Sequence, residues 1–98
     1  MSIEYFAEFI AKNVPPGKVV EIGIGFQFKV ALRLKELGYD VFAVDWNPLS
    51  VEKGRELGIK TFRDDVFNPN ISLYTGARAI YSIRPTPEIV KPIIELGK

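Results

Sequence analysis

The 98-residue chain contains no cysteine and no histidine. The first absence excludes disulfides and thiolate metal sites, and the second removes imidazole as a zinc ligand or as an acid-base catalyst working near neutral pH. A chain without disulfides suits a cytoplasmic protein. Long apolar runs are missing too, since no stretch approaches the length needed to span a bilayer. The first thirteen residues, Met1 to Asn13, set Ile3, Phe6 and Ile10 among Glu4, Glu8 and Lys12, which reads as an amphipathic helix docking on a sheet and not as a signal peptide. Nor is there an excess of either charge. Thirteen Lys and Arg against twelve Asp and Glu leave +1, and the two signs are interleaved, so electrostatics indicates no nucleic-acid partner. No repeat, linker or low-complexity segment interrupts the chain. With 47% hydrophobic residues it suits one compact domain with its own core, residues 1–98.

What is present is concentrated in Lys18 to Phe28, KVVEIGIGFQF. Val19, Val20 and Ile22 enclose Glu21 in a short apolar run that predicts a central parallel strand ending at Gly23. Glycines 23 and 25 allow a sharp turn and leave room for a ligand to approach backbone N–H groups. From Phe28 onward Val30, Ala31, Leu34 and Leu37 recur at helical spacing, and Gly38 stops the run. Strand, glycine turn and helix in that order form a nucleotide-type binding turn. The dinucleotide code G-x-G-x-x-G would need glycine at position 28, where this chain has Phe28, so NAD and FAD are disfavoured.

A second buried strand, DVFAVDW, ends in Asp45, 22 positions after Gly23. An acid there is placed to accept hydrogen bonds from ribose hydroxyls. A helix follows from Pro48 to Leu57 with Gly58 as its stop, then a third strand from Ile59 to Phe62 that runs into Arg63, Asp64 and Asp65. Adjacent aspartates commonly cap loop N–H groups, a role that suits Asp64. A fourth strand, Ala79 to Ile83, and a helix from Pro87 to Leu96 complete the order. These elements predict an α/β fold with helices on both faces of a parallel sheet of about four strands in order 3-2-1-4. The crevice is expected where the order reverses, between strands 1 and 4, with the strand ends at Gly23, Asp45, Asp65 and Ser82 on one side.

The string EIGIG resembles the first motif of class I S-adenosylmethionine-dependent methyltransferases, an acid followed by G-x-G-x-G, with Gln27 in place of the third glycine. That resemblance implies a Rossmann-like domain with S-adenosylmethionine as cofactor. It implies Trp46 along the adenine ring, with Asp65 and the Val66 N–H at the adenine edge. The competing readings are a rim or core aromatic for Trp46 and a loop cap for Asp65. Glu21 either holds the ligand's ammonium or orients the glycine turn. The segments VVEIGIG, RDDVF and LYTGARAIYSIRP are similar to uncharacterised protein family 0146, small archaeal proteins with a methyltransferase-like Rossmann core. Relatives of that kind are expected to continue with further strands beyond the last helix, so this domain either lacks them or is a fragment.

No catalytic residue is assigned, because an activated methyl sulfonium needs positioning more than an acid or base. Ser82 and Arg84 are candidate substrate-binding residues after the fourth strand, Arg84 through a carboxylate or phosphate unless it simply pairs with Asp64, Asp65 or Glu88. Tyr74 and Tyr81 read as packing residues. Two functions stay open: a methyltransferase-like protein of unknown small-molecule or protein acceptor, and a non-catalytic relic of that fold acting as a partner-binding or regulatory module. The fourth strand carries no charge or proline, so its edge, or the helix Pro87 to Leu96, is expected to support a homodimer.

Overall fold

A computed structural model describes residues 4–83. Arg84 and the helix expected over Pro87 to Leu96 lie outside the described residues. Four parallel strands, β1 (Lys18–Ile22), β2 (Asp40–Asp45), β3 (Lys60–Arg63) and β4 (Ala79–Tyr81), form a sheet in the order β3-β2-β1-β4, as the sequence predicts. Three helices, α1 (Glu4–Asn13), α2 (Lys29–Glu36) and α3 (Pro48–Glu56), alternate with the strands. Among the described residues no helix is long and apolar enough to cross a membrane.

β1 is central because it is apolar on both sides, and its residues 19–22 are all buried. On one face Val19, Val41 and Ala43 meet Ala7 and Ile10 of α1 and Val30, Ala31 and Leu34 of α2. Cross-strand register puts Thr61, Ala43, Glu21 and Tyr81 in one row on this same face. α3 joins it, with Gly54 lying directly against Thr61. On the opposite face Val20, Ile22 and Val44 pack against Tyr74, with Leu73, Val66 and Ala77 around them. That second layer is built, among the described residues, from the long β3–β4 crossover and its 3-10 turn, Ile71–Leu73. The result is a Rossmann-like three-layer α/β arrangement whose α-helices, within residues 4–83, share one face.

Local signals set the boundaries. Asn47 caps α3 by accepting the Leu49 N–H at 2.9 Å, and Pro48 occupies the first turn. Gly58 ends the helix with a positive φ of 82°. It donates to Arg55 O while Ile59 donates to Gly54 O, the paired bonds of a Schellman motif; Gly38 closes α2 with the same pattern of bonds. That motif corrects the start of the third strand. The Ile59 N–H is spent on the helix end, so the ladder begins at Lys60 and extends through Arg63, which pairs with Asp45. The fourth strand is also shorter than expected. It stops at Tyr81, leaving Ser82 and Ile83 beyond the ladder.

The contact of α3 with β3 has no spare room. A methyl group on Gly54 would sit 2.8 Å from Thr61 Cβ and closer still to its Oγ1. Gly54→Ala gains roughly 1 kcal/mol of helix propensity, but overpacking costs about 1–3 kcal/mol because Thr61 is held in a strand and cannot swing away. The expected outcome is a net loss of up to about 2 kcal/mol, read as a lower urea midpoint at unchanged slope. A midpoint at or above the parent value would mean that α3 slides freely on β3.

Candidate functional site

The carboxyl ends of β1, β2 and β3 meet around the glycine turn. Gly23 and Gly25 have φ of 68° and 58°, a region that side chains resist, and the turn folds back on β2. Gly23 N–H and Ile24 N–H both donate to Val44 O, at 2.9 and 3.3 Å. The Gly25 N–H donates to Asp45 Oδ2 at 2.7 Å, and Ser50 Oγ of α3, fully buried, donates to Gly25 O. Asp45 Oδ1 accepts from the Asn47 N–H at 2.8 Å. The sequence reading of these glycines is therefore corrected. Their N–H groups do not face a ligand, because β2 and Asp45 already use them, and the turn is a clamped wall instead of an open cradle.

Against that wall lies a cleft of about 610 Å³, lined by Ile22, Gly23, Val44, Asp45, Trp46, Asp64, Asp65, Val66 and Phe67, within the usual range for small-molecule sites. Its floor is apolar and its carboxylates stand at the edges. This cleft lies over the ends of β1, β2 and β3. The chain after β3 bends back over the sheet and supplies one wall. Asp64 fixes that bend: Oδ1 accepts the Asn70 N–H at 3.0 Å and Oδ2 the Tyr74 hydroxyl at 2.9 Å. Burial, and then the neighbouring Asp64, push the Tyr74 phenol well above its ordinary value. Asp65 Oδ1 caps the Phe67 N–H at 2.9 Å, so the loop-cap reading holds for both aspartates while both also line the cleft.

Trp46 is a rim residue, 61% exposed. Its ring carries the Arg63 guanidinium 4.2 Å from the ring centre, and Arg63 Nε donates to Trp46 O at 2.9 Å. A cation held on the ring and on the backbone of the same residue fixes the indole at the mouth of the cleft.

Of the sequence-predicted residues, Gly23, Asp45, Trp46, Asp65 and Val66 come together in this cleft. Gly25 is tied to Asp45 just behind it. Glu21 and Ser82 do not line it, and Arg84 lies outside the described residues. Phe67, Ile22, Val44 and Asp64 were not singled out from the sequence. Ile22 and Val44 carried a signal, as the last apolar residues before each strand end, whereas Phe67 depends on the path of the crossover.

Glu21 is 2% exposed, and among the described residues its Oε1 has no hydrogen-bond partner; nor has the buried hydroxyl of Tyr81, its register neighbour on β4, or that of Ser82. It makes no bond to the glycine turn, so it does not orient the turn as one sequence reading had it. Desolvation raises its carboxyl to about 8, with the nearby Tyr81 phenol only partly opposing the effect. Tyr81 itself is pushed far above its ordinary value by burial and by the adjacent carboxylate. Glu21 thus stays protonated in the folded chain over a range in which an unfolded carboxyl, near 4.5, has ionised. The native state retains a proton that the unfolded state releases, so stability falls as pH rises through this window and levels off above about pH 8. Glu21→Gln removes that dependence. Between about pH 5 and pH 8 the parent should lose on the order of 3 kcal/mol relative to the variant, measured by urea denaturation; parallel pH profiles would show that Glu21 is ionised in the fold.

Comparison with known proteins finds one family whose model covers nearly the whole chain. The model of the Uncharacterised protein family (UPF0146) matches residues 3–98. A member of that family from Pyrococcus abyssi is 56% identical over 92 residues, which is 94% of this chain and 70% of the relative. Another, from Methanocaldococcus jannaschii, is 43% identical over 101 residues, 100% of this chain and 73% of the relative. An alcohol dehydrogenase from Penicillium expansum is 36% identical over 91 residues, but these make up only 26% of that enzyme. A family model spanning nearly the whole chain, with archaeal relatives at this identity, settles the assignment: the protein belongs to the uncharacterised protein family UPF0146.

Proposed function

We propose that the cleft binds the adenosine portion of S-adenosylmethionine or S-adenosylhomocysteine and that the protein is methyltransferase-like, with an acceptor yet to be identified. The observation that carries this reading is the convergence of Gly23, Asp45, Trp46, Asp65 and Val66 on one cleft of about 610 Å³. They come from the ends of three different strands, with Asp45 placed for the ribose and Trp46, Asp65 and Val66 for the adenine. The free valences also fit. Each Asp45 oxygen accepts one backbone N–H, and a carboxylate has about four acceptor sites, so a vicinal diol can still be bound. Asp65 Oδ2 and the Val66 N–H have no partner among the described residues; they offer an acceptor and a donor side by side, the pattern an adenine edge requires. Ile22, Val44 and Phe67 supply apolar surface for a ring.

When bound, S-adenosylmethionine would supply an activated methyl group. The chain's own part is to hold the nucleoside. Among the described residues every carboxylate lining the cleft accepts a hydrogen bond from its own chain, so each already serves to hold the shape of the site. That observation favours a second reading, ligand binding without catalysis in a partner-binding or regulatory module. A dinucleotide is the weaker alternative. Phe28 is buried in the core at the start of α2, where the pyrophosphate code requires glycine.

Calorimetric titration tests the reading. S-adenosylhomocysteine is expected to bind and NAD to give no measurable heat. Asp45→Ala should weaken S-adenosylhomocysteine by roughly 1–3 kcal/mol or more, by leaving hydroxyls unpaired and by releasing the Gly25 and Asn47 N–H groups that shape the wall, with a thermal melt confirming that the variant is folded. NAD binding more tightly than the sulfur ligand would overturn the proposal.

A further inference from the structure

Behind Trp46 lies a second cleft, of about 490 Å³, lined by Pro48, Val51, Glu52, Arg55, Glu56 and Arg63. Its two arginines are held in the same way. Arg55 Nε donates to Thr61 O at 2.9 Å while its guanidinium stands 5.8 Å from the centre of the Phe62 ring. Arg63 Nε donates to Trp46 O at 2.9 Å with its guanidinium 4.2 Å from the Trp46 ring centre. In each case one N–H and one face of the plane are taken, which fixes the fork and leaves its terminal Nη groups uncommitted. Neither guanidinium forms an ion pair among the described residues. The acids of the same cleft do not neutralise them by contact, since Glu56 faces Lys53 at 3.7 Å and Glu52 has no ion-pair partner among the described residues.

Two immobilised, unpaired guanidinium forks in one concavity form a receptor for a tetrahedral oxyanion. Arginine recognises phosphate through paired N–H donors of fixed geometry, and a fork already locked by its Nε loses little conformational freedom on binding. We propose that Arg55 and Arg63 form an oxyanion site for the phosphate group of a phosphorylated ligand, with no lining residue in common with the adenosine cleft. Glu52, on the same cleft, sets the affinity low by repulsion, so its neutralisation should strengthen binding while loss of Arg55 weakens it. Opposite responses from two residues of one cleft distinguish a built site from general attraction to a cationic surface.

The test follows the arginine Nε–H signals of the folded protein by NMR during titration with inorganic phosphate, against sodium chloride at matched ionic strength. Saturable shifts of Arg55 and Arg63 are expected with phosphate only. Arg55→Gln should weaken the apparent affinity about fivefold to tenfold and Glu52→Gln should strengthen it by about threefold. Titration of S-adenosylhomocysteine should be unchanged in Arg55→Gln, so the two proposals fail independently. Ribose 5-phosphate and a single-stranded oligonucleotide at equal phosphate concentration then identify the source. Equal responses assign a small phosphorylated ligand, and a response from the oligonucleotide at least tenfold tighter assigns a phosphodiester strand. Shifts that match those in chloride, or an affinity unaffected by Arg55→Gln in a protein whose backbone spectrum is intact, would overturn the site.

Discussion

The carboxylate of Asp45 holds the functional end of the molecule together. It terminates β2, binds the glycine turn after β1 through Gly25, and binds the entry to α3 through Asn47. The end of β2, the start of α3 just after it and a turn 20 residues earlier are therefore set by two oxygen atoms. Ser50 adds a bond to the Gly25 carbonyl from the first turns of the same helix, so the turn is gripped on both its N–H and its C=O side. Charge-assisted bonds to backbone donors are among the stronger ones available to a protein. They allow a short turn with two left-handed glycines to keep one shape without a bound ligand, which is the preorganisation a binding wall needs.

Much of the fold was legible in the chain. The run Val19–Ile22, the spacing of Val30, Ala31 and Leu34, and the stops at Gly38 and Gly58 are local signals, and strand order followed from them by the handedness of short crossovers. The Asp45 position was legible as well, through its distance from Gly23. What could not be read were properties set by two segments at once. The sequence implied that the glycine N–H groups were free, whereas their fate depends on how closely β2 approaches. The location of the cleft followed from the Asp64 bonds to Asn70 and Tyr74, which direct the crossover back over β1 to β3. The neighbourhood of Glu21 and Tyr81 is a matter of register between strands far apart in sequence. The Arg63 contact with Trp46 joins the ends of two strands, and no periodicity announces it.

Glu21 shows the tension between stability and site design. A carboxyl in a row of otherwise small or apolar residues, next to an unpartnered phenol, is costly to bury, and an apolar residue of similar size would be expected to serve the core better. Its neutral form at ordinary pH makes that cost tolerable. Buried polar atoms without partners are rare in native proteins and concentrate where a protein has a use for them. Glu21, Tyr81 and Ser82 lie toward the carboxyl end of the sheet, the same end as the cleft beside the glycine turn.

The two outer strands of the sheet differ in a way that bears on how it could grow. β3 has only four residues, begins with Lys60 bonded to Asp40, and ends with Arg63, while the Arg55 side chain reaches its Thr61 carbonyl and so occupies an acceptor that an incoming strand would use. Charge at both ends and a blocked carbonyl leave little for another backbone to pair with. β4 presents Ala79, Ile80 and Tyr81 without charge. Among the described residues the β3 edge is therefore the one guarded against backbone pairing, so this sheet cannot propagate from both sides as a continuous ribbon.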